Sequence, residues 1–453
     1  MRPPGGTLSK GLGAILLGLS LLGTFASPAL ADTSDANPPA PNQTWALHGQ
    51  TTFTEQATPA FPSPYQGTNS MNPNGEGRET FDATIFAGLR PWAGAEIWVN
   101  QEVEQGFGLD DTLGAAGFPS GEAYKIGASA PYMRLQRAFL RQTIDLGGAI
   151  STVDAAANQL GGSRTENRLV FTVGKISVVD VFDTNQYAHD PRSDFLNWSV
   201  IDTGTFDYAA DPWGYTIGGA VEWYQGNWTV RGGVFDLSTQ PNSLTLDAGM
   251  HEFQLVGEVE RRYKIAGKDG KLAITGFLSR ARMGDFADAI AAAQISGGLP
   301  SLAAARRYQS RPGIGANLEQ QITDTVGLFA RAGFADGSVE PYEFADIDRT
   351  FALGLSMSGD RWGRKDDAVG LAGVVNGISK IHEEFLNDGG LGILIGDGQL
   401  PHPGLEEIVE TYYKANAIKG VDVSFDFQLI TNPAYNTDRG PVPVFATRLH
   451  GQF

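Results

Sequence analysis

Three arginines, Arg134, Arg137 and Arg141, lie close together between Tyr132 and Asp145. A guanidinium group is always charged and presents a rigid fork of hydrogen-bond donors. Nearby carboxylates could accept hydrogen bonds from hydroxyl groups, and an indole ring could stack against an apolar face. Together such side chains could hold a small polar molecule without covalent chemistry. The candidates for these roles are Glu96, Glu102, Asp183, Asp207 and Trp98.

The spacing of the three arginines determines which face of a strand each of them would occupy. Side chains on a strand alternate between its two faces. Arg137 and Arg141 would therefore share a face of an ideal strand, and Arg134 would lie on the opposite face. We expect at least one of the three to lie in a loop or at an interface.

Motifs for catalysis are missing from the chain after residue 31, which has no GxSxG, HExxH or P-loop sequence. The six histidines lie outside any recognised motif. His189 and Asp190, which precede Pro191, could act in acid–base catalysis or bind a metal. However, Asp-Pro favours a turn, and no second histidine is near. We interpret them as a structural turn in an inward-folded loop, and we expect no catalytic residue, metal or cofactor.

The composition excludes other classes of protein. The net charge is −18, which argues against nucleic acid as a partner, because phosphate binding needs a basic surface. The chain has no cysteine, so it has no disulfide bonds. Hydrophobic residues make up 42% of it, and no stretch after the N-terminal region has 18 apolar residues in a row. Membrane-spanning helices are therefore excluded.

The N-terminus has the pattern of a secretory signal peptide. Arg2 and Lys10 are followed by the short apolar stretch from Leu12 to Phe25, and the segment from Ala29 to Ala31 is a small-x-small cleavage site. We expect residues 1–31 to be removed. Residues 32–44 are rich in Asp, Ser, Asn and Pro, which predicts a flexible leader.

From Trp45 onward, apolar and polar residues alternate with a period of two. Tight turns separate such runs: we expect hairpins around residues 90–94, 225–227, 267–270 and 324. The final run places Phe445, Leu449 and Phe453 on one face, and Arg448 and His450 on the other. We also expect a strand over residues 132–145 and a short helix over residues 285–294, whereas the register of residues 285–310 and 370–400 stays open.

These runs predict an all-β fold, a transmembrane antiparallel β-barrel formed by residues 45–453. Its strands would have one face toward lipid and one toward water, with short periplasmic turns and long extracellular loops. The chain length accommodates about 16 strands, or about 18, which is wide enough for an aqueous lumen. Because the alternating pattern begins at Trp45, we expect no globular plug domain before the barrel.

The segment from Lys175 to Pro241 resembles the carbohydrate-selective porins, the OprB-type family. The resemblance depends on Asp180-x-Phe182-Asp183-x-Asn185, His189-Asp190-Pro191, Phe195-x-Asn197-Trp198, Asp207-Tyr208 and Gly214-Tyr215-Thr216. The closing run from Glu410 to Phe453 is similar to that family as well. The likeness covers most of the chain from Trp45 onward.

The resemblance implies a 16-stranded barrel in the outer membrane of a Gram-negative bacterium, with a narrowed eyelet that passes monosaccharides such as glucose. A sugar needs hydrogen-bond partners around its ring and an aromatic face for its C–H side. The arginines, carboxylates and Trp98 named above could supply these contacts. We expect Trp198, Trp213 and Trp223 to be girdle residues at the membrane interface instead. Both a monomer and a homotrimer are compatible with the sequence.

Other functions are compatible with the same patterns. A porin for an organic acid or an anion would need the same barrel. An outer-membrane barrel enzyme would need a catalytic set on the rim, for which histidine is scarce. A secreted sugar-binding β-protein would need neither lipid nor detergent.

Overall fold

The computed structural model describes residues 42–123 and 127–453, and within these ranges sixteen antiparallel strands close into one barrel. The expected signal peptide and most of the expected leader lie outside the described residues. Each strand pairs with its neighbours in the chain, and the first pairs with the last. The strands are β1 (Trp45–Thr58), β2 (Glu76–Leu89), β3 (Ala95–Gly106), β4 (Ala128–Val153), β5 (Gly162–Ile176), β6 (Thr216–Gln225), β7 (Trp228–Asp236), β8 (Phe253–Ile265), β9 (Lys268–Gly284), β10 (Arg306–Gln321), β11 (Val326–Ala335), β12 (Arg349–Ser358), β13 (Ala368–Gly377), β14 (Glu406–Ile418), β15 (Val421–Thr431) and β16 (Val442–Gln452).

The last strand shows how the sequence pattern specifies the barrel. Phe445 and Leu449 are half exposed on the outside, whereas Arg448 and His450 are buried inside. An apolar exterior and a polar interior are what a barrel in lipid requires. Pairing of β16 with β1, from Gln50↔Gln452 to Ala57↔Phe445, removes the open edge that a flat sheet would expose. The predicted alternation and closure are confirmed.

The connections between strands alternate in length. Long loops follow the odd-numbered strands, such as residues 177–215 after β5, and short turns follow the even-numbered strands, such as Gly226–Asn227 after β6. We call the two ends of the barrel the loop end and the turn end. This asymmetry confirms the short turns and long loops that the sequence predicts.

One predicted turn is displaced. The pattern placed the turn between β8 and β9 at residues 267–270, around Asp269-Gly270. In the structure Ile265 pairs with Lys268, so the turn is Ala266–Gly267 and Asp269 belongs to β9. Ala266 and Gly267 both have positive φ (51° and 79°), the combination that a two-residue turn between twisted strands needs.

The helices are short and lie in the long loops. They are α1 (Trp198–Ile201), α2 (Phe286–Ser296), α3 (Leu302–Ala305) and α4 (Lys380–Asn387). The predicted Ala-rich helix is α2, and it begins after Asp285, whose side chain accepts a hydrogen bond from the Asp288 backbone. Across the described ranges, no helix is both long and apolar enough to span a bilayer.

Candidate functional site

Two long loops fold from the loop end into the barrel, where they occupy part of the lumen. One joins β3 to β4 and the other joins β5 to β6. Phe118 of the first loop stacks on Trp198 of the second, with ring centres 5.4 Å apart and planes 4° apart. Both rings are buried. The two loops therefore form a common apolar core inside a polar barrel.

Carboxylates on the barrel wall hold these loops in place. Glu410 of β14 accepts hydrogen bonds from the backbone N–H of Leu196 at 2.5 Å and of Asn197 at 3.1 Å. Glu406 accepts from the backbone N–H of Gly117 at 2.7 Å. A hydrogen bond contributes about 0.5–1.5 kcal/mol to stability, and a buried amide left without its acceptor costs about 1–3 kcal/mol. On the β14 side, the two loops are thus held against the wall of the barrel and fill the lumen.

The described residues leave cavities in the lumen, and two of them bear on function. The loop-side cavity has a volume of about 340 Å³ and is lined mainly by the two inward loops. The turn-side cavity has a volume of about 610 Å³ and reaches the turn between β2 and β3. Ala157, Asn158 and Asp180 line both cavities. We call these three residues the junction, because the two cavities meet there.

Arg137 contacts the junction through a bidentate ion pair with Asp180. Its Nε donates to one carboxylate oxygen at 2.8 Å, and its Nη2 donates to the other at 2.7 Å. The guanidinium carbon also lies 4.8 Å from the ring centre of Tyr215. Burial alone would raise the pKa of Asp180, but the Arg137 charge and the Ser177 backbone N–H outweigh it and lower that pKa below its usual value. Asp180 therefore stays ionised at neutral pH.

A β-bulge in β4 brings all three arginines to the same side of the strand. Asn100 of β3 pairs with Arg137, and Gln101 pairs with Leu135, so Gln136 is an extra residue. The insertion shifts the alternation by one position. Arg134 therefore lies on the lumen face, and the expectation from an ideal strand is wrong for this residue.

The other two arginines have partners of their own. Arg134 pairs with Asp211 at 3.2 Å, and its guanidinium carbon lies 3.3 Å from the ring centre of Trp213. Arg141 lies 3.7 Å from the Glu96 carboxylate and donates to the backbone carbonyl of Asn158 at 2.8 Å. Arg141 and Glu96 line the turn-side cavity. Each arginine thus faces the lumen with its charge compensated.

Aromatic rings surround the loop-side cavity. Trp198 and Trp213 are buried and line it, so the expectation that they are girdle residues is wrong. Both belong to the β5–β6 loop, which folds into the lumen. The alternation of residues along strands does not predict the path of such a loop. Trp223 on β6 is 47% exposed on the outer wall, where a girdle residue would lie. The other rings on the cavity wall are Phe86, Phe118, Tyr208, Tyr215 and Phe344.

Five of the sequence-predicted residues line neither cavity: Arg134, whose partners are given above, and Trp98, Glu102, Asp183 and Asp207. Trp98 is fully buried and donates from Nε1 to Glu96 at 3.0 Å. Glu102 is buried beside Thr84, whose hydroxyl donates to it at 2.5 Å. These two side chains support the wall of the barrel.

Asp183 and Asp207, the remaining two, are buried anchors for loops. Asp183 accepts from the backbone and the hydroxyl of Thr203 at 2.6 and 2.9 Å. Asp207 accepts from a run of consecutive backbone N–H groups, those of Phe344 and Ala345 at 2.8 and 3.0 Å among them. Their positions do not support the hypothesis that they accept hydrogen bonds from a solute. For Arg134, Arg137, Arg141 and Glu96, contact with a solute stays a prediction.

Sequence reasoning did not single out several residues of the loop-side cavity. Asp180 stands three positions before Asp183 in the segment that resembles the porin family, and the structure places Asp180 at the junction instead of Asp183. Arg192 lies 3.3 Å from Glu122 and 3.5 Å from Asp82. Asn158 lies in a turn at the opposite end of the barrel from the loops. Only the fold brings these residues together.

His189 lines the loop-side cavity and lies 3.2 Å from the Asp202 carboxylate. Burial by itself lowers the pKa of His189, but the Asp202 carboxylate raises it above the usual value near 6.5. In the described part of the chain, no group of three or more His, Asp or Glu side chains could hold a metal ion.

Comparisons with known proteins agree with this geometry. The model of the carbohydrate-selective porin, OprB family, matches residues 68–453. The solved structure of Pseudomonas putida OprB at high pH is 16% identical, with a TM-score of 0.66 over 90% of this chain and 94% of that chain. The outer membrane channel DcaP of Acinetobacter baumannii is 9% identical, with a TM-score of 0.52 over 90% of this chain and 97% of that one. No curated protein matches the sequence.

The two solved structures support the fold, and the family match supports membership. The match covers most of the chain, including both inward loops and every residue of the junction. The chain therefore belongs to the carbohydrate-selective porins of the OprB family.

Proposed function

We propose that this porin lets monosaccharides such as glucose diffuse passively across the outer membrane of a Gram-negative bacterium. The loop-side cavity carries the proposal, because it combines aromatic rings with the Arg137–Asp180 pair inside the barrel. A cavity of about 340 Å³ is at the small end of the range for ligand sites, which favours a single-ring solute.

The lining chemistry matches a sugar. Guanidinium groups donate and carboxylates accept hydrogen bonds from ring hydroxyls. Aromatic faces such as Trp213 and Tyr215 can pack against the C–H side of the ring. Since Arg137 and Asp180 compensate each other, neither strongly attracts an ion. Weak and reversible contacts are what a diffusion channel needs, since the solute must leave as well as enter.

The outer surface favours a location in a membrane. Exposed apolar residues follow the outward face of strand after strand, such as Phe351, Leu353 and Leu355 on β12. We infer that the loop end faces the outside of the cell and the turn end faces the periplasm, as is usual for outer-membrane barrels.

Planar-bilayer recording with sugar titration tests the proposal. We expect glucose to block the ion current in a saturable way, whereas succinate does not. Absence of block by any sugar would contradict the sugar assignment.

The same recording tests the second candidate, a porin for organic acids or anions. Arg90, Arg141, Arg164, Arg168 and Arg231 line the turn-side cavity, which favours anions there. Glu96, Asp145, Asp180 and Glu222 lie on the same wall and offset that charge. Block by succinate without block by glucose would favour this candidate.

A further inference from the structure

The β4–β5 hairpin extends past its neighbours at the turn end of the barrel. β3 pairs with β4 only as far as Gln142, and β6 pairs with β5 only from Arg168 onward. Between these limits, β4 and β5 pair only with each other. The extension therefore has no neighbouring strand to keep it in the barrel wall.

Two glycines and a change of register redirect this extension. Gly147 and Gly148 have φ of 93° and 91°, values that side-chain-bearing residues rarely adopt. The pairing of β4 with β5 shifts register on both sides of Gly147. Bulges of this kind bend a hairpin sharply.

The tip of the extension is fixed inside the turn-side mouth. The Asn158 carbonyl accepts a hydrogen bond from Arg141 at 2.8 Å. The Leu160 backbone N–H donates to Glu96 at 3.3 Å, and the Gln43 N–H donates to the Gly161 carbonyl at 2.9 Å. Three separate anchors hold the tip against the lumen wall. The tip therefore forms a fixed part of the lumen wall.

Asn158 is the residue that the tip presents at the junction. It has φ of 58°, a left-handed conformation that asparagine tolerates better than most residues. It lines both cavities, as does Asp180 from the other end of the barrel. Its side-chain carbonyl oxygen is buried and accepts no hydrogen bond within the described part of the chain. A buried acceptor of this kind is satisfied only when a donor reaches it.

We propose that Asn158 is a specificity-determining residue, whose side-chain oxygen accepts a hydrogen bond from a hydroxyl of the passing sugar. Asp180 contacts the solute from the loop end, and Asn158 contacts it from the turn end. Arg141 is a positioning residue that acts through the Asn158 carbonyl. The inference rests on the proposed sugar transport and assigns to it a contact from the turn end of the barrel.

The test is glucose block of the single-channel current in three variants. Asn158→Gly removes the acceptor and keeps the left-handed backbone at no steric cost. Asn158→Asp keeps an acceptor oxygen and also tolerates that backbone. Asn242→Gly is the matched control, because Asn242 has φ of 57° in the exposed β7–β8 loop and lines neither cavity. A difference in gel migration between unboiled and boiled protein verifies that each barrel folds.

We expect Asn158→Gly to weaken glucose block by about two- to tenfold, the effect of one lost hydrogen bond. Asn158→Asp and Asn242→Gly should stay within about twofold of the parent protein. If glucose blocks Asn158→Gly as strongly as the parent protein, the inference is wrong. It is also wrong if Asn158→Asp weakens the block as much as Asn158→Gly does. Absence of glucose block in the parent itself would instead contradict the proposed function.

Discussion

Arg137 on β4 and Asp180 in the β5–β6 loop form a two-pronged ion pair across the lumen, with donor–acceptor distances of 2.8 and 2.7 Å. The pair joins the barrel wall to the inward loop at the point where the two cavities meet. Its two charges cancel, and its fork geometry fixes the direction of the carboxylate.

We expect Arg137→Ala to increase the preference of the channel for cations. The change leaves the Asp180 charge without its partner at the junction, and one uncompensated charge in a narrow lumen should shift the permeability ratio by about twofold or more. Reversal potentials in a KCl gradient measure the effect. Arg137→Lys keeps the charge and should leave the ratio close to that of the parent.

Arg261→Ala is the control for this change, because Arg261 is exposed on β8 and lines neither cavity. If Arg137→Ala and Arg261→Ala give the same current–voltage curve as the parent, the ion pair does not control ion passage.

Trp213 should contribute to sugar block through its ring. We expect Trp213→Ala to weaken glucose block by about two- to tenfold, from the loss of about 0.5–1.5 kcal/mol of ring contact. Trp223→Ala is the matched control, because Trp223 lies on the outer wall. Current-block titrations of both variants give the comparison. Similar losses in the two would mean that the effect is not specific to the cavity.

The pKa of His189 predicts a pH dependence of ion selectivity. Because this pKa is raised in the folded protein, His189 stays protonated somewhat above pH 6.5 and becomes neutral as the pH rises through the raised value. Its pairing with Asp202 should stabilise the loop fully below pH 6.5, and this stabilisation is lost across the same window.

We therefore expect cation preference to grow as the pH rises from 6.5 through that window. Asp180 remains ionised throughout, since its pKa is lowered. Reversal potentials recorded between about pH 5.5 and 9 measure the change, which spans the region where histidine titrates. His189→Gln should give a flat profile, and an unchanged slope in that variant would assign the titration to another group.

Asp207 should stabilise the packing of two loops. It accepts hydrogen bonds from the backbone N–H groups of Phe344 and Ala345 and lies buried between the loops. We expect Asp207→Ala to lower the free energy of unfolding by about 3 kcal/mol, because the variant removes an acceptor that several buried amides share. Urea unfolding of the barrel in lipid vesicles, followed by tryptophan fluorescence, measures the loss.

Asp247→Ala is the comparison for Asp207→Ala. Asp247 also accepts from backbone amides, those of Gly249 and Glu252, but within its own partly exposed loop. We expect a loss below about 1 kcal/mol there, since water can replace the acceptor. Equal losses in the two variants would argue against a special role for the buried anchor.

The sequence predicted the parts of the fold that depend on local alternation. The closing pair of β16 with β1 and the hairpin of β6 and β7 follow from apolar residues at every second position and from tight turns. Where a local signal was ambiguous the prediction failed, as at Asp269-Gly270, because the register of paired strands decided which two residues form the turn.

By itself, the sequence determined that this chain forms a wide barrel with polar residues inside, and it pointed to the porin family around Asp180–Tyr215. Only the tertiary structure decided which polar residues meet. Arg134 reaches the lumen through a bulge at Gln136, and Asp180 lies at the junction where Asp183 does not. Asn158 arrives there from the opposite end of the barrel. Strand alternation is local and readable from the chain, whereas the paths of folded-in loops and bent hairpins depend on contacts between residues far apart in sequence.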